Sequence, residues 1–163
     1  MRKAVILGFT VLFLASCGFH LRGLKDVPKW LDKVYIDNKT RDGELLSVLK
    51  VQLKNYKIHV NLDPASAKYW LVINDSSHYQ QIISIGASTN ARQYQLILTV
   101  VYTLRTSKGK ELIPNSLIKV TRQITMNNNR ILGSSEEEIT LLKEMRQDAV
   151  VQMINQLHIY HQY

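Results

Sequence analysis

Gln93-Tyr94-Gln95-Leu96-Ile97-Leu98-Thr99-Val100-Val101-Tyr102-Thr103-Leu104-Arg105 is the stretch on which the fold turns. Tyr94, Leu96, Leu98, Val100, Tyr102 and Leu104 recur with period two, and Gln93, Gln95, Ile97, Thr99, Val101, Thr103 and Arg105 stand between them. Successive strand residues point to opposite faces of a sheet, so this pattern predicts one long strand with a single core-facing side.

Lys108-Gly109 follows as a turn signal, and Ile118, Val120, Ile124 and Met126 then alternate with polar neighbours. The two runs predict an antiparallel hairpin, with Arg122 interrupting the apolar face.

Upstream, Tyr69, Leu71 and Ile73 alternate with Trp70, Val72 and Asn74, a run apolar on both sides that fits a strand inside the sheet. Val34 and Ile36 mark a short first strand at Lys33 to Asp37, and Ile58 to Leu62 reads as a short extended piece. Leu45, Leu46, Leu49 and Leu53 recur at helical spacing behind Thr40 or Asp42 as cap, which predicts a helix ending near Asn55. A second helix is expected after Ser134 or Ser135, each of which forms a capping box with Glu137 or Glu138. Its stripe is Leu142, Met145, Ala149, Met153 and Leu157, widened by Ile139, Val150 and Ile154, with Lys143, Arg146 and Gln152 outside and a length of five or six turns. The order of elements predicts an α+β domain, a two-layer α/β sandwich with two helices packed on one face of a mixed, mostly antiparallel four-stranded sheet.

The first residues are of another kind. Met1-Arg2-Lys3 is positive, Ala4 to Leu14 is almost purely apolar, and Ala15-Ser16 precede Cys17, the one cysteine of 163 residues. That is a secretory leader, and an apolar run this short falls well below the ~20 residues of a spanning helix. Leu14-Ala15-Ser16-Cys17 resembles the bacterial lipobox, which implies a covalent N-terminal lipid on Cys17; an incidental thiol is the alternative. Residues 1–16 are then a signal peptide, 17–32 a lipidated tether, and 33–163 one domain. By similarity to such signals, Gly18 in place of an aspartate favours the outer membrane, with the domain facing the periplasm.

A formal net charge of +8 suggests nucleic acid, anionic membrane or an acidic ligand, and export removes nucleic acid from that set. No nucleophile elbow, phosphate loop or zinc-protease helix is present, so neither catalysis nor a bound cofactor is expected. His158 and His161 have no cysteine or carboxylate beside them to complete a metal shell. Glu136 to Glu138 are read as helix-end charges, and Asp75, Ser76, Ser77 and His78 as triad residue types without an oxyanion motif.

The link Gln80 to Asn90 carries Ile82, Ile83 and Ile85 beside Gly86. These residues either contact a partner or belong to longer strands with Ile83 and Ile85 in the core.

Directly after the lipobox, Cys17-Gly18-Phe19-His20-Leu21-Arg22-Gly23 resembles the N-terminal signature of LptE-type lipopolysaccharide-assembly lipoproteins. Asn129, Ile131-Leu132, Glu137, Leu142, Glu144-Met145 and Asp148 are similar to that family's approach to its last helix, and Tyr94-Gln95 to its long strand. The resemblance implies a non-enzymatic plug inside the lipopolysaccharide-exporting outer-membrane β-barrel of LptD type, which helps that barrel assemble and binds lipopolysaccharide. Arg92, Lys108, Lys110 and Arg130 are the cations expected to meet lipid A phosphates. The alternative is a periplasmic lipoprotein that carries another anionic lipid or adapts to the cell wall.

Overall fold

The computed structural model describes residues 30–85, 91–127 and 131–160. Strand β1 (Val34–Asn38) leads to helix α1 (Gly43–Asn55), a two-residue strand β2 (Val60–Asn61) and a short 3-10 turn (Pro64–Ser66). Three long strands follow, β3 (Tyr69–Ile85), β4 (Ala91–Thr106) and β5 (Glu111–Asn127), and then helix α2 (Ile131–Tyr160).

The sheet order is β2-β1-β3-β4-β5. It has five strands where four were expected, because Val60 and Asn61 pair with Val34 and Tyr35; a strand of two residues has no period to read. β1 runs parallel to both β2 and β3, while β3–β4 and β4–β5 are antiparallel. The sheet is therefore mixed, with antiparallel pairing dominant in ladder length and not in the number of neighbours.

Leu96, Leu98, Val100, Tyr102 and Leu104 are fully buried, as the alternation requires. They share one core with Leu45, Leu49 and Leu53 of α1 and with Met145, Ala149, Met153 and Leu157 of α2. Leu31, ahead of β1, belongs to that core as well. Asp42 caps α1 by accepting from Leu45 N–H at 2.9 Å, and Lys54 occupies the last turn, where a cation suits the helix dipole.

Three expectations change. Helix α2 is 30 residues long, about 45 Å, and its backbone is already helical at Ile131, so Ser134, Ser135 and Glu136 to Glu138 lie inside it and form no capping box. Ile139 is exposed and leaves the stripe, whereas Arg146 is buried. Gln80 to Ile85 is strand and not a link, since β3 pairs with β4 as far as Ile85↔Arg92.

Arg122 breaks the apolar face as its sequence position indicates, and it forms an ion pair with Asp148 of α2, both half in solvent. Pairing a cation at the rim of the core answers the cost that an unpaired buried charge would carry.

Candidate functional site

The site grows out of a change of environment along one strand. From Tyr69 to Ile73, β3 lies between β1 and β4, and Leu71, Val72 and Ile73 are buried. The register then slips between Ile73 and Asp75. Asn74 fills the slip, its amide donating to Thr103 Oγ1 at 2.8 Å and to Asn115 Oδ1 at 2.9 Å. A bulge at this point ends one pairing pattern and starts another.

β1 stops pairing at Ile73, and Lys39 N–H closes that corner by donating to the Ile73 carbonyl. From Asp75 to Ile85, β3 then has β4 on one side and, among the described residues, no strand on the other. This segment is an open sheet edge carrying Tyr79, Ile82 and Ile83, each about half exposed. Such an edge offers unpaired N–H and C=O groups to an added strand, and the side chains supply apolar area.

Ile82 pairs in register with Tyr94, which pairs with Ile124. Ile85 ends the strand opposite Arg92, and Gly86 lies outside the described residues. The second reading of the isoleucines holds in that both strands extend further, β3 to Ile85 and β4 from Ala91, but Ile83 is about half exposed and is not core.

A polar seam locks the fold beside the edge. Arg146 Nε donates to Asp42 Oδ1 at 3.1 Å and Oδ2 at 3.0 Å, and its Nη1 reaches Glu44 Oε2 at 2.7 Å. Ser76 Oγ donates to Asp42 Oδ2 at 2.9 Å, and the Asp42 N–H donates to Thr40 Oγ1 at 3.2 Å. Burial alone would raise the Asp42 carboxyl, but hydrogen bonds from Leu45 N–H, Arg146 and Ser76 and the Arg146 charge outweigh it and hold the group below its ordinary value. The seam joins α1, α2 and β3, with Asp42 serving all three.

The triad residue types are divided by the strand's alternation. Ser76 faces Asp42, whereas Ser77 donates to Asp75 Oδ2 at 3.1 Å and shares a hydrogen bond with Thr99. His158 sits in the last turn of α2, and His161 lies outside the described residues.

The three expected cations that fall among the described residues do not form one patch. Arg92 stands at the start of β4, and Lys108 and Lys110 stand beyond its end, separated by about 50 Å of extended chain. Arg130 and Cys17 lie outside the described residues. Sequence reading placed Arg146 outside the stripe and gave it no role; its one signal was a cation next to the apolar stripe of a long helix.

A sequence model of the LptE family, described as lipopolysaccharide-assembly, matches residues 31–157. The protein named LPS-assembly lipoprotein LptE from Pectobacterium atrosepticum is 29% identical over 155 residues, 94% of this chain and 83% of its own length. That of Yersinia enterocolitica is 30% identical over 158 residues, covering 96% and 75%. Among solved structures, an uncharacterized lipoprotein B from Nitrosomonas europaea superposes with a TM-score of 0.72 at 24% identity, covering 89% of this chain and 93% of that one. The rare lipoprotein B from Shewanella oneidensis gives 0.66 at 18% identity, covering 81% and 100%. These two likenesses concern the fold.

Proposed function

This chain belongs to the LptE lipopolysaccharide-assembly family, and we propose that it works there as a non-enzymatic outer-membrane lipoprotein, seated in the lipopolysaccharide-exporting barrel. The observation that carries this reading is the open edge of β3 with Tyr79, Ile82 and Ile83. A free domain gains nothing from leaving apolar side chains on an unpaired edge, and lysine and proline, two of the devices that blunt such an edge, are absent from Asp75 to Ile85, although the register does shift between Ile82 and Ser84. The lumen of a large barrel is polar and wide enough to receive a folded domain, and the edge is the segment suited to pair or pack against its wall.

Lipid on Cys17 keeps the domain at the membrane. Cys17→Ala is expected to give an uncleaved or soluble form without acyl mass, read by mass spectrometry. Arg92, Lys108, Lys110 and Arg130 are the candidate cations for lipopolysaccharide phosphates, and Arg92 and the two lysines stand at opposite ends of β4. Charge reversal at Arg92 and at Lys108 with Lys110, each expected to melt as the parent does, therefore reads the contribution of each end to lipopolysaccharide binding separately.

The decisive experiment is coexpression with the barrel. Ile82→Ser with Ile83→Ser should reduce recovery of the heat-modifiable complex while the free lipoprotein melts as before. Full recovery of the complex would overturn the edge as the partner surface.

A further inference from the structure

The end of the domain where the described chain begins differs from the rest of the surface. β1, β2 and β3 all start there, the β4–β5 hairpin turns there, and α2 finishes there. Lys33, Lys57, Lys68, Lys108 and Lys110 are exposed at this end, and none of them forms an ion pair among the described residues. Asp32, Asp63 and Glu111 share the end, and Asp63 is committed to Ala65 N–H at 3.0 Å. Away from this end Arg122 and Arg146 are neutralised by carboxylates, while Lys39, Arg41, Lys50, Lys119 and Lys143 are exposed and, like the five lysines, form no ion pair among the described residues. What distinguishes this end is the company of aromatic rings and the entry of the chain.

Two of the five lysines stand where lysine is conformationally costly. Lys33 has φ +58° and Lys57 φ +59°, a left-handed backbone that glycine adopts without strain. Aromatic rings accompany the charges: the Arg105 guanidinium stacks 4.7 Å from the Trp70 ring centre, and Tyr35 packs edge-on to that ring at 5.2 Å. Arg105 forms no hydrogen bond or ion pair within the described residues, although Glu111 is its register partner on β5.

The chain enters the fold at the same place. Trp30 packs edge-on against Tyr69 at 5.2 Å, and Leu31 is buried. Cys17 stands thirteen residues before Trp30, so an extended connection reaches at most about 45 Å. A tether of that length brings this end to a bilayer first but leaves the domain free to tumble.

We propose that this end is a phospholipid-headgroup contact, in which the unneutralised lysines and Arg105 meet anionic phosphates and the Trp and Tyr rings sit at the headgroup level. Basic residues near an anionic leaflet add to membrane attraction, amphipathic aromatic rings settle at the membrane–water interface, and a second signal beside a lipid anchor is what holds and orients a peripheral domain. The inference rests on the anchor in the preceding reading and not on the barrel.

The test uses the purified processed lipoprotein on vesicles of phosphatidylglycerol with phosphatidylcholine and, in parallel, of phosphatidylcholine alone, with amine labelling read lysine by lysine. On the anionic vesicles Lys33, Lys68, Lys108 and Lys110 should label about fivefold more slowly than on the zwitterionic ones, with the contrast erased by high salt. Lys50, Lys119 and Lys143, exposed elsewhere, should label alike on both. Equal labelling at the two ends, or equal protection on both vesicle types, overturns the proposal. The pair Lys33→Gly and Lys57→Gly should melt no lower than the parent, since left-handed strain is relieved, yet lose protection at Lys68, Lys108 and Lys110; protection kept in that variant would also overturn it. The intact mass of the same preparation reads acylation separately, so failure of the anchor and failure of the surface are distinguishable.

Discussion

The two halves of β3 have the same backbone geometry and opposite fates. In the first half, Leu71, Val72 and Ile73 are held between two strands, with Leu71 and Ile73 in the core shared with the helices, and all three are nearly without solvent contact. In the second half, Ser77, His78, Tyr79, Gln80 and Gln81 are exposed and only β4 pairs with them. The difference teaches that a strand's length is set by its hydrogen-bonding neighbour, whereas its burial is set by what packs on its faces. β4 supplies the first along the whole strand; β1 and α1 supply the second only as far as the bulge at Asn74.

This contrast can be broken most forcefully from the buried side. Leu71→Asp places an unpaired carboxylate in the core and should cost about 4 kcal/mol or prevent folding, measured by denaturant unfolding. A loss below about 1 kcal/mol would mean that the first half is no more protected than the second.

Asp42→Ala comes next, because it removes the α1 cap and strips Arg146 and Ser76 of a common acceptor. A loss of about 3 kcal/mol is expected. The pH dependence has a definite sign. Since the folded carboxyl is held below its ordinary 3.8, its contribution is fully present above that value and disappears as pH falls through the lower folded value. Asp42→Asn should therefore flatten the acid limb of the stability curve relative to the parent. Tyr102 supplies the opposite limb: burial pushes its hydroxyl up to about 12, with the Ser116 hydrogen bond acting in the other direction, so stability should decline as pH rises from about 10.

Asn74→Ala sharpens the boundary between the halves. Losing the two hydrogen bonds to Thr103 and Asn115 should cost about 1 kcal/mol, with faster amide exchange near Asn74 than at Leu71. The smallest effect on stability belongs to Ile82→Ser with Ile83→Ser, within about 0.5 kcal/mol for the free protein, against a large loss of barrel complex. A melting temperature lowered as much as by Asn74→Ala would show that the exposed half contributes to the core after all.

What was legible in the sequence follows the same divide. The period-two run from Tyr94 to Leu104 and the stripe from Leu142 to Leu157 could be read because each has one face in the core, and burial is what writes a period into a sequence. Ser77 to Gln81 show no such period, because they are exposed and, apart from Ser76 against Asp42, little of this part of β3 is covered, and so the strand from Gln80 onward was read as a link. Arg146 was placed outside because a guanidinium beside an apolar stripe ordinarily snorkels to solvent. Its acceptor, Asp42, is 104 residues away, and no local pattern announces a partner at that separation. The candidate site suffered doubly: Ile82 and Ile83 could be named but not oriented, and Arg92 was grouped with Lys108 and Lys110 although a strand of 16 residues keeps them apart.

By itself, then, the sequence determined the elements that bury a face, a start for α1 at Thr40 or Asp42, the resemblance of Leu14 to Cys17 to a lipobox, and the family resemblance carried by its motifs. Only the tertiary structure decided that Ile58 to Leu62 contributes a fifth strand, that α2 begins at Ile131, that Arg146 is buried against Asp42, and that half of β3 is an open edge. The physical reason is one of range. Propensity and periodicity are fixed by neighbours within a few residues, while pairing, neutralisation and exposure depend on groups that meet only after the chain has closed on itself.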